Sequence, residues 1–200
     1  CSSDLHGLLP AVPGAPRQPY SPPVTPESLV FWGTVKPYKG VELLADLARD
    51  PAWAAAGLAL EVHGRWDTSL APLQAELRAL GVTVVDDYLD GPALLALLRR
   101  PVVFLLPYRA ATQSGAFYTL LHHGCRFLCA DTGDLGALLR RHGLHDLLLA
   151  ERTPAAVLQA LQRLQAGGTA LAAHLQQAQD DCTWSHTLAE GAAAYEPWSA

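Results

Sequence analysis

The sequence predicts an α/β fold in which a mostly parallel, Rossmann-like sheet is covered by helices on both faces. Short apolar runs typical of buried strands alternate with segments whose apolar residues recur at helical spacing. The run VVFLL at Val102–Leu106 is uniformly apolar, as expected of a central parallel strand. Because parallel strands need a crossover between them, this alternation indicates βαβ units. Half of the 200 residues are hydrophobic, enough for one good-sized domain with a real core.

The first 27 residues are the most proline-rich part of the chain. Such a density of proline excludes a regular helix or a central strand, because proline donates no backbone hydrogen bond. We predict a linker or an arm for residues 1–27. The prolines are Pro10, Pro13, Pro16, Pro19, Pro22, Pro23 and Pro26.

Three strand-helix units follow the arm. Each begins with a short apolar run bounded by turn residues, which predicts a strand, and continues with apolar residues at helical spacing, which predict a helix. Turns rich in glycine or proline, such as KPYKG and DGP, separate the elements. The predicted strands are 29–35, 58–62 and 82–85, and the predicted helices are 41–49, 69–80 and 92–98.

The fourth unit is the most informative stretch of the sequence. Its strand, 102–106, stops at Pro107, and a small polar loop leads into a helix predicted at 114–121. The loop residues Thr112, Gln113, Ser114 and Gly115 place short polar side chains and a glycine at a helix N-terminus. Unpaired backbone N–H groups and the helix dipole favour an anion there. The same residues are also good N-caps, so a purely structural role remains an alternative.

The rest of the chain completes the sheet and then becomes helical. A fifth strand is predicted at 126–130, followed by a helix that ends near residue 141 and a short sixth strand at 147–150. Helices are predicted at 155–165 and 169–178, and a last segment runs from 184 to 195.

The polar loops of interest all fall at one edge of the predicted sheet, the edge where ligands of such sheets bind. Lys36 and Lys39 flank the turn after the first strand, where a lysine can neutralise a diphosphate. Two solvated surface lysines are the alternative. Acidic residues at the same edge could serve as bases or ribose contacts, or only as caps and turn formers. They are Asp86, Asp87, Asp90 and Asp131.

Charge and cysteine content argue against other classes of partner. A net charge of −5 without a basic run gives no electrostatic reason to bind nucleic acid. The four cysteines show no metal spacing and indicate a reducing compartment, so we expect a cytoplasmic protein without a metal site. His122 and His123 are adjacent on a helix and point about 100° apart, which favours a surface or helix-dipole role over metal ligation. No run is long enough to cross a bilayer.

Several segments, in order, resemble the C-terminal, donor-binding domain of GT-B fold retaining glycosyltransferases of family 4, group 1. The resemblance extends from about residue 29 to 165, and the ending DCTWSHTLAEGAAAY resembles the helix with which the family crosses back to its other domain. The PYKG turn and the PY…ATQSG loop together are fairly specific to one branch of this family. The matching segments are VFWGTVKPYKGVELLADLA, LEVHGR, VVDDYLDGPALLALL and VVFLLPYRAATQSGAFYTLLHHGCRFLCADTGDLGALL.

The resemblance implies a domain that binds a nucleoside-diphosphate sugar for retaining transfer to a glycan or lipid-linked acceptor. Lys39 matches the family lysine that faces the diphosphate and stabilises charge on the leaving nucleotide, so it is the implied catalytic residue. Cationic side chains and a helix N-terminus take over the work of a metal, so no metal or other cofactor is implied. The implied donor-binding residues are Gly33, Thr34, Lys36, Tyr88, Thr112, Gln113, Ser114, Gly115 and Thr119.

The resemblance also implies a domain organisation. Residues 1–27 would be the tail of a missing N-terminal domain that holds the acceptor, residues 28–180 the donor-binding domain, and residues 181–200 the crossing helix and tail. The segment DLHG at 4–7 resembles the end of that missing domain. By the same analogy the protein would contact a membrane peripherally. Alone, the chain is expected to bind donor without turning it over.

Three positions depart from the family pattern. Many members carry arginine where Thr34 stands and glutamates where Ala111 and Thr119 stand, and those glutamates contact the sugar and the ribose. These departures leave two alternatives: a nucleotide-sugar-binding module without catalysis, and a structural domain on a decayed fold. A GT-B epimerase acting on nucleotide sugars is a further alternative, against which the ATQSG loop argues.

Overall fold

The computed structural model describes residues 9–20, 25–111, 114–167 and 169–183, and at its centre lies a six-stranded sheet. All neighbouring strands are parallel, in the order β3-β2-β1-β4-β5-β6. The predicted Rossmann-like class and the six predicted strands are confirmed. The strands are β1 Ser28–Trp32, β2 Ala59–His63, β3 Thr83–Val85, β4 Val102–Leu106, β5 Phe127–Ala130 and β6 Leu148–Leu149.

Helices cover both faces of this sheet. Right-handed crossovers place the helices that follow β1 and β2 on one face and those that follow β3, β4 and β5 on the other. In agreement with this, α1 contacts α3 and α7, whereas α5 contacts α8. The helices are α1 Glu42–Arg49, α2 Pro51–Ala56, α3 Ala71–Ala79, α4 Gly91–Leu98, α5 Gly115–His122, α6 Gly133–Arg141, α7 Pro154–Ala166 and α8 Thr169–Asp181.

The strand order creates the place for a ligand. β1 and β4 are neighbours in the sheet although β2 and β3 lie between them in sequence. After β1 the chain adds strands toward one edge of the sheet, and after β4 it adds strands toward the other edge. All five residues of β4 are buried, which confirms its central position. A crevice forms outside the carboxyl ends of strands at such a switch point.

Helix α2, Pro51–Ala56, was not predicted from the sequence. It begins with a clear start signal, because the Asp50 carboxylate accepts hydrogen bonds from the backbone N–H groups of Ala52 and Trp53, and proline occupies the first helical position. Trp53 is only 4% exposed and fixes the helix against the core. Six residues are too few to show helical periodicity, so the hydrophobic pattern of the sequence does not reveal this helix.

The described part of the arm, residues 9–20, packs on the C-terminal end of α5 and on α8. Its anchors are the adjacent histidines, for which the sequence predicted a surface or helix-dipole role. His122 is 9% exposed, and its Nε2 donates to the carbonyl of Ala15 at 3.0 Å, while His123 Nε2 accepts the Ala11 N–H at 3.0 Å. Burial, with repulsion from His122, lowers the pKa of His123 to about 4, which keeps this acceptor neutral. Of the two predicted roles, the surface role is therefore wrong, because both histidines hold the arm.

A partly buried ion cluster ties the segment after α4 to the sheet. Glu61 of β2 is 7% exposed and accepts two hydrogen bonds from the Arg100 guanidinium, at 2.7 and 2.8 Å. Glu27 binds the same guanidinium at 2.8 Å, and His63 Nε2 lies 2.8 Å from the Glu61 carboxylate. The Arg100 hydrogen bonds hold the pKa of Glu61 at about 2. Sequence reasoning did not find this cluster, since its members are far apart along the chain.

Candidate functional site

Two loops meet at the switch point, one after β1 and one after β4. The backbone N–H of Arg109 donates to the carbonyl of Tyr38 at 2.8 Å, which joins the two loops directly. Gly40 has φ 68°, and a Cβ at this position would overlap the carbonyl oxygen of Pro107. Only glycine therefore allows the loops to pack this closely. Their packing holds the Pro37–Lys39 turn of 3-10 helix over the end of β4.

Lys39 projects from this turn into the crevice. Its side-chain nitrogen lies 5.5 Å from the ring centre of Tyr108 and 6.0 Å from that of Phe31. A Cβ placed on Gly33 would lie 3.5 Å from Lys39 Nζ and 4.0 Å from Cβ of Ala116. The ammonium group is thus held over two aromatic rings, beside Gly33 and next to the first turn of α5. No carboxylate forms an ion pair with it within the described residues.

The electrostatic state of Lys39 follows from this position. Burial, followed by repulsion from Lys36, lowers its pKa to about 8. The Lys39 ammonium loses part of its hydration by burial, and no carboxylate of the described residues compensates for this loss. An anion that supplies the opposite charge would raise the pKa and bind. Lys36 and Lys39 are the only lysines of the chain, which makes both easy to follow chemically.

We expect amine-labelling chemistry to detect this lowered pKa. Because only the neutral amine reacts, acetylation of Lys39 followed by peptide mass spectrometry should show a rate midpoint near pH 8. In the chain denatured by urea the midpoint should move to about 10.4, the value of a free lysine side chain. An unchanged midpoint between folded and denatured chain would show that Lys39 is a fully solvated lysine.

The N-terminus of α5 lies beside Lys39. Ser114 caps this helix: it is 8% exposed, its Oγ accepts the Phe117 N–H at 3.2 Å, and the Tyr108 hydroxyl lies 3.1 Å from it. The Ser114 side chain is therefore an N-cap, which is the structural role given above as the alternative to anion binding. The backbone N–H groups of Gly115 and Ala116 make no hydrogen bond within the described residues, and Gly115 is exposed. These two groups and the helix dipole are free to face an anion.

The other predicted donor-binding residues are less closely joined to Lys39. Thr34 and Lys36 are exposed on the same loop, while Tyr88 is 78% exposed in the loop after β3. Thr119 is 5% exposed within α5, beyond its first turn. Thr112 and Gln113 lie outside the described residues, so their predicted role stays a prediction.

Sequence reasoning missed Tyr108, which organises the site. Its ring is 1% exposed, contacts Tyr38 edge-on and lies under the Lys39 ammonium, and its hydroxyl reaches the α5 cap. Burial raises the pKa of this phenol well above its usual range, so the hydroxyl keeps its proton. An aromatic residue two positions after a buried strand, at the predicted ligand edge, was the signal available in the sequence.

The described part of the chain contains neither a metal-binding cluster nor a helix that could span a membrane. No group of three or more His, Cys, Asp and Glu side chains there is arranged to hold a metal ion. None of its helices combines the length and apolar character that a membrane span requires.

Comparisons with known proteins give a consistent result at the level of fold. No protein-family model and no curated protein matches the chain. Among solved structures, Alr3699/HepE from Anabaena, in complex with UDP, matches with a TM-score of 0.62 and 17% identity, over 85% of this chain and 49% of that one. Sucrose-phosphate synthase from Thermosynechococcus elongatus matches with a TM-score of 0.62 and 17% identity, over 86% of this chain and 45% of that one.

A third structure, described as trehalose-6-phosphate from E. coli bound with UDP-2-fluoro glucose, matches with a TM-score of 0.63 and 8% identity. The match covers 85% of this chain and 44% of that one. The chain thus spans about half the length of these structures. At such low identity the likeness shows the fold alone, and that fold is the one expected from the sequence. The chain therefore has the Rossmann-like fold of the C-terminal domain of GT-B proteins.

Proposed function

We propose that this domain binds a nucleoside-diphosphate sugar at the carboxyl edge of its sheet. The observation that carries the proposal is the unpaired ammonium of Lys39, held beside Gly33 and the first turn of α5. A cation and two free N–H groups converge there, and phosphate oxygens accept from both kinds of donor. That HepE is solved with UDP and the E. coli protein with UDP-2-fluoro glucose supports a nucleotide-sugar ligand.

In this proposal the domain is the donor half of a retaining glycosyltransferase that moves a hexose to a glycan or lipid-linked acceptor. When the bond between sugar and diphosphate breaks, negative charge grows on the leaving phosphate. Lys39 and the α5 N-terminus oppose that charge from fixed positions, which is the electrostatic form of transition-state stabilisation. No metal ion is required for this role. The acceptor belongs to a domain outside these 200 residues, so the chain alone binds without transfer.

The nucleoside would extend from the diphosphate toward the loop after β3. Tyr88, which is 78% exposed there, offers a free aromatic face, and stacking of a base on such a face is favourable whatever the base. Thr34, Lys36 and the Gly33 backbone would line the path between the two. A cytoplasmic location with peripheral contact to a membrane, as the family resemblance implies, belongs to the same proposal.

One observation favours a second function, binding of the nucleotide sugar without catalysis. The two positions that carry glutamates in many relatives are the small or neutral residues Ala111 and Thr119, which are 8% and 5% exposed. Neither supplies a carboxylate to a sugar hydroxyl. The two functions differ in one result: the complete protein transfers sugar in the first and binds the donor without transfer in the second.

The test is calorimetric titration of the chain with UDP, GDP and ADP and their glucose conjugates, without added metal. We expect saturable binding of at least one nucleotide. Lys39→Met should weaken it by about 1–3 kcal/mol, or roughly fivefold to 150-fold in Kd, as expected for a charge-assisted contact.

Lys36→Met is the comparison variant: Lys36 is the chain's only other lysine, is exposed on the same loop and would only line the solvated path to the nucleoside. Its effect should stay below about threefold, the scale of a solvated charge. Equal losses of nucleotide affinity in both variants would mean that Lys39 contributes only its positive charge and makes no specific contact with the diphosphate. A folded chain that binds none of the nucleotides would refute the proposed function.

A further inference from the structure

A cavity lies at the edge of the sheet opposite to the Lys39 crevice. It has a volume of about 630 Å³, within the range of small-molecule sites. The arm forms one wall, the last turn of α4 forms another, and the first residue of β4, Val102, lies at its floor. This edge carries the amino ends of the strands, so the cavity is separate from the proposed donor site.

The polar part of the cavity wall is cationic. The described residues that line it include Arg99, Arg100, Arg126 and His123 but no aspartate or glutamate. This is unexpected in a chain with 19 acidic residues and a net charge of −5. Arg100 is neutralised by the ion cluster with Glu61, whereas Arg99 is exposed and has no ion pair within the described residues. Arg126 also lines the cavity and is 8% exposed.

His123 does not add to this charge. Its pKa is lowered to about 4, and its Nε2 accepts the Ala11 N–H, so the imidazole is neutral at physiological pH. The cationic character of the cavity therefore comes from arginine, which stays charged at every accessible pH.

The rest of the cavity is apolar. Leu95 and Leu98 of α4, Val102 and Phe104 of β4, and Val12 of the arm contribute hydrocarbon surface. An inorganic anion would leave these walls in contact with water, and a neutral apolar molecule would offer no acceptor to the arginines. A ligand that satisfies both parts has one anionic group and an apolar body.

We propose that this cavity is a binding site for a small amphipathic anion, such as an alkyl phosphate or alkyl carboxylate. Arg99 binds the anionic group, and the α4 and β4 side chains contact the apolar body. The site is independent of the proposed donor function, because it shares no lining residue with the Lys39 crevice.

The test is calorimetric titration of the 200-residue chain with octyl phosphate below its micellar concentration, in a phosphate-free buffer. All titrations use chains that also carry Lys39→Met, so that the probe cannot bind at the donor site. We expect saturable binding of one octyl phosphate, with inorganic phosphate and octanol each at least about tenfold weaker, because each lacks one half of the contacts.

Two variants locate the binding. Arg99→Gln should weaken octyl phosphate about fivefold to tenfold, as expected for loss of one charge-assisted contact. Leu95→Trp should weaken it at least about fivefold, because the larger side chain takes space that the apolar body needs. Arg78→Gln is the matched control: Arg78 is also an exposed arginine at the end of a helix, α3, but does not line the cavity. It should leave the Kd unchanged.

Absence of saturable octyl phosphate binding would overturn the proposal. So would binding that neither Arg99→Gln nor Leu95→Trp weakens, because the probe would then occupy another surface. Octanol binding as tightly as octyl phosphate would also overturn it, since the cavity would then select apolar molecules without regard to charge.

Discussion

Replacing Arg100 by methionine is expected to destabilise the domain by about 1–3 kcal/mol, the cost of removing the charged partner of a largely buried carboxylate. Glu61 is 7% exposed and receives two of its hydrogen bonds from the Arg100 guanidinium. Methionine keeps much of the apolar stem of arginine but cannot donate. The free energy of unfolding, measured with urea at pH 7, gives the loss directly.

Arg99→Met is the control for Arg100→Met, because Arg99 is the preceding residue and is exposed. It should change stability by no more than about 0.5 kcal/mol, as is usual for surface substitutions. A second substitution, Glu61→Gln, should restore part of the stability of Arg100→Met by removing the unpaired charge. Similar losses for the two arginine variants would show that Arg100 contributes packing alone.

The same pair predicts a dependence on pH. The pKa of Glu61 is about 2 in the folded chain and 4.5 for an unperturbed glutamate, so the folded chain favours the ionised form. The stabilisation from the pair is therefore fully present above about pH 4.5. It is lost as the pH falls toward 2. The difference between wild type and Arg100→Met should shrink over the same interval.

Gly64→Ala is expected to destabilise the domain by about 3 kcal/mol or more. Gly64 follows β2 with φ 145°, a backbone conformation that residues with a side chain rarely adopt, and a Cβ there would overlap the carbonyl of Gly33. Because Gly33 borders Lys39, relief of this overlap must move the loop that carries the candidate site. The variant should therefore lose nucleotide affinity as well as stability.

Gly57→Ala separates the two causes of strain in Gly64→Ala. Gly57 also has positive φ, 67°, but a Cβ there would meet nothing within 4 Å. Its cost should be about 1 kcal/mol, from backbone conformation alone, with unchanged nucleotide affinity. Urea unfolding and UDP titration of both variants measure the two effects. Equal stability losses would mean that the contact with Gly33 has no influence.

The sheet was predictable because its signals are local. A run such as VVFLL at Val102–Leu106 needs no partner to be recognised as a buried strand, and the structure has β4 with these bounds. Parallel order follows from the helices between strands, and parallel order in turn places every strand-end loop at one edge. For that reason the sequence alone predicts that Lys39 and Gly115, which are 76 positions apart, lie in one site.

What the sequence did not reveal depends on contacts between distant residues. The sequence around Tyr108 does not show that its ring lies under the Lys39 ammonium. The sequence around Glu61 does not show that its carboxylate binds the Arg100 guanidinium. The sequence predicted a surface or helix-dipole role for His122 and His123, because the arm that covers them lies more than 100 positions earlier. Patterns of hydrophobicity identify elements, whereas buried polar pairs depend on how the elements pack.

Protection of Lys39 from acetylation by UDP, or by whichever nucleotide binds most tightly, tests the central claim most directly. At pH 8 the amine should react readily in the free chain, since its pKa is about 8. A bound diphosphate should slow labelling of Lys39, shift its rate midpoint to higher pH and affect Lys36 less. Unchanged labelling of Lys39 at nucleotide concentrations that saturate the chain would contradict the claim, because the ligand would then bind without this ammonium group.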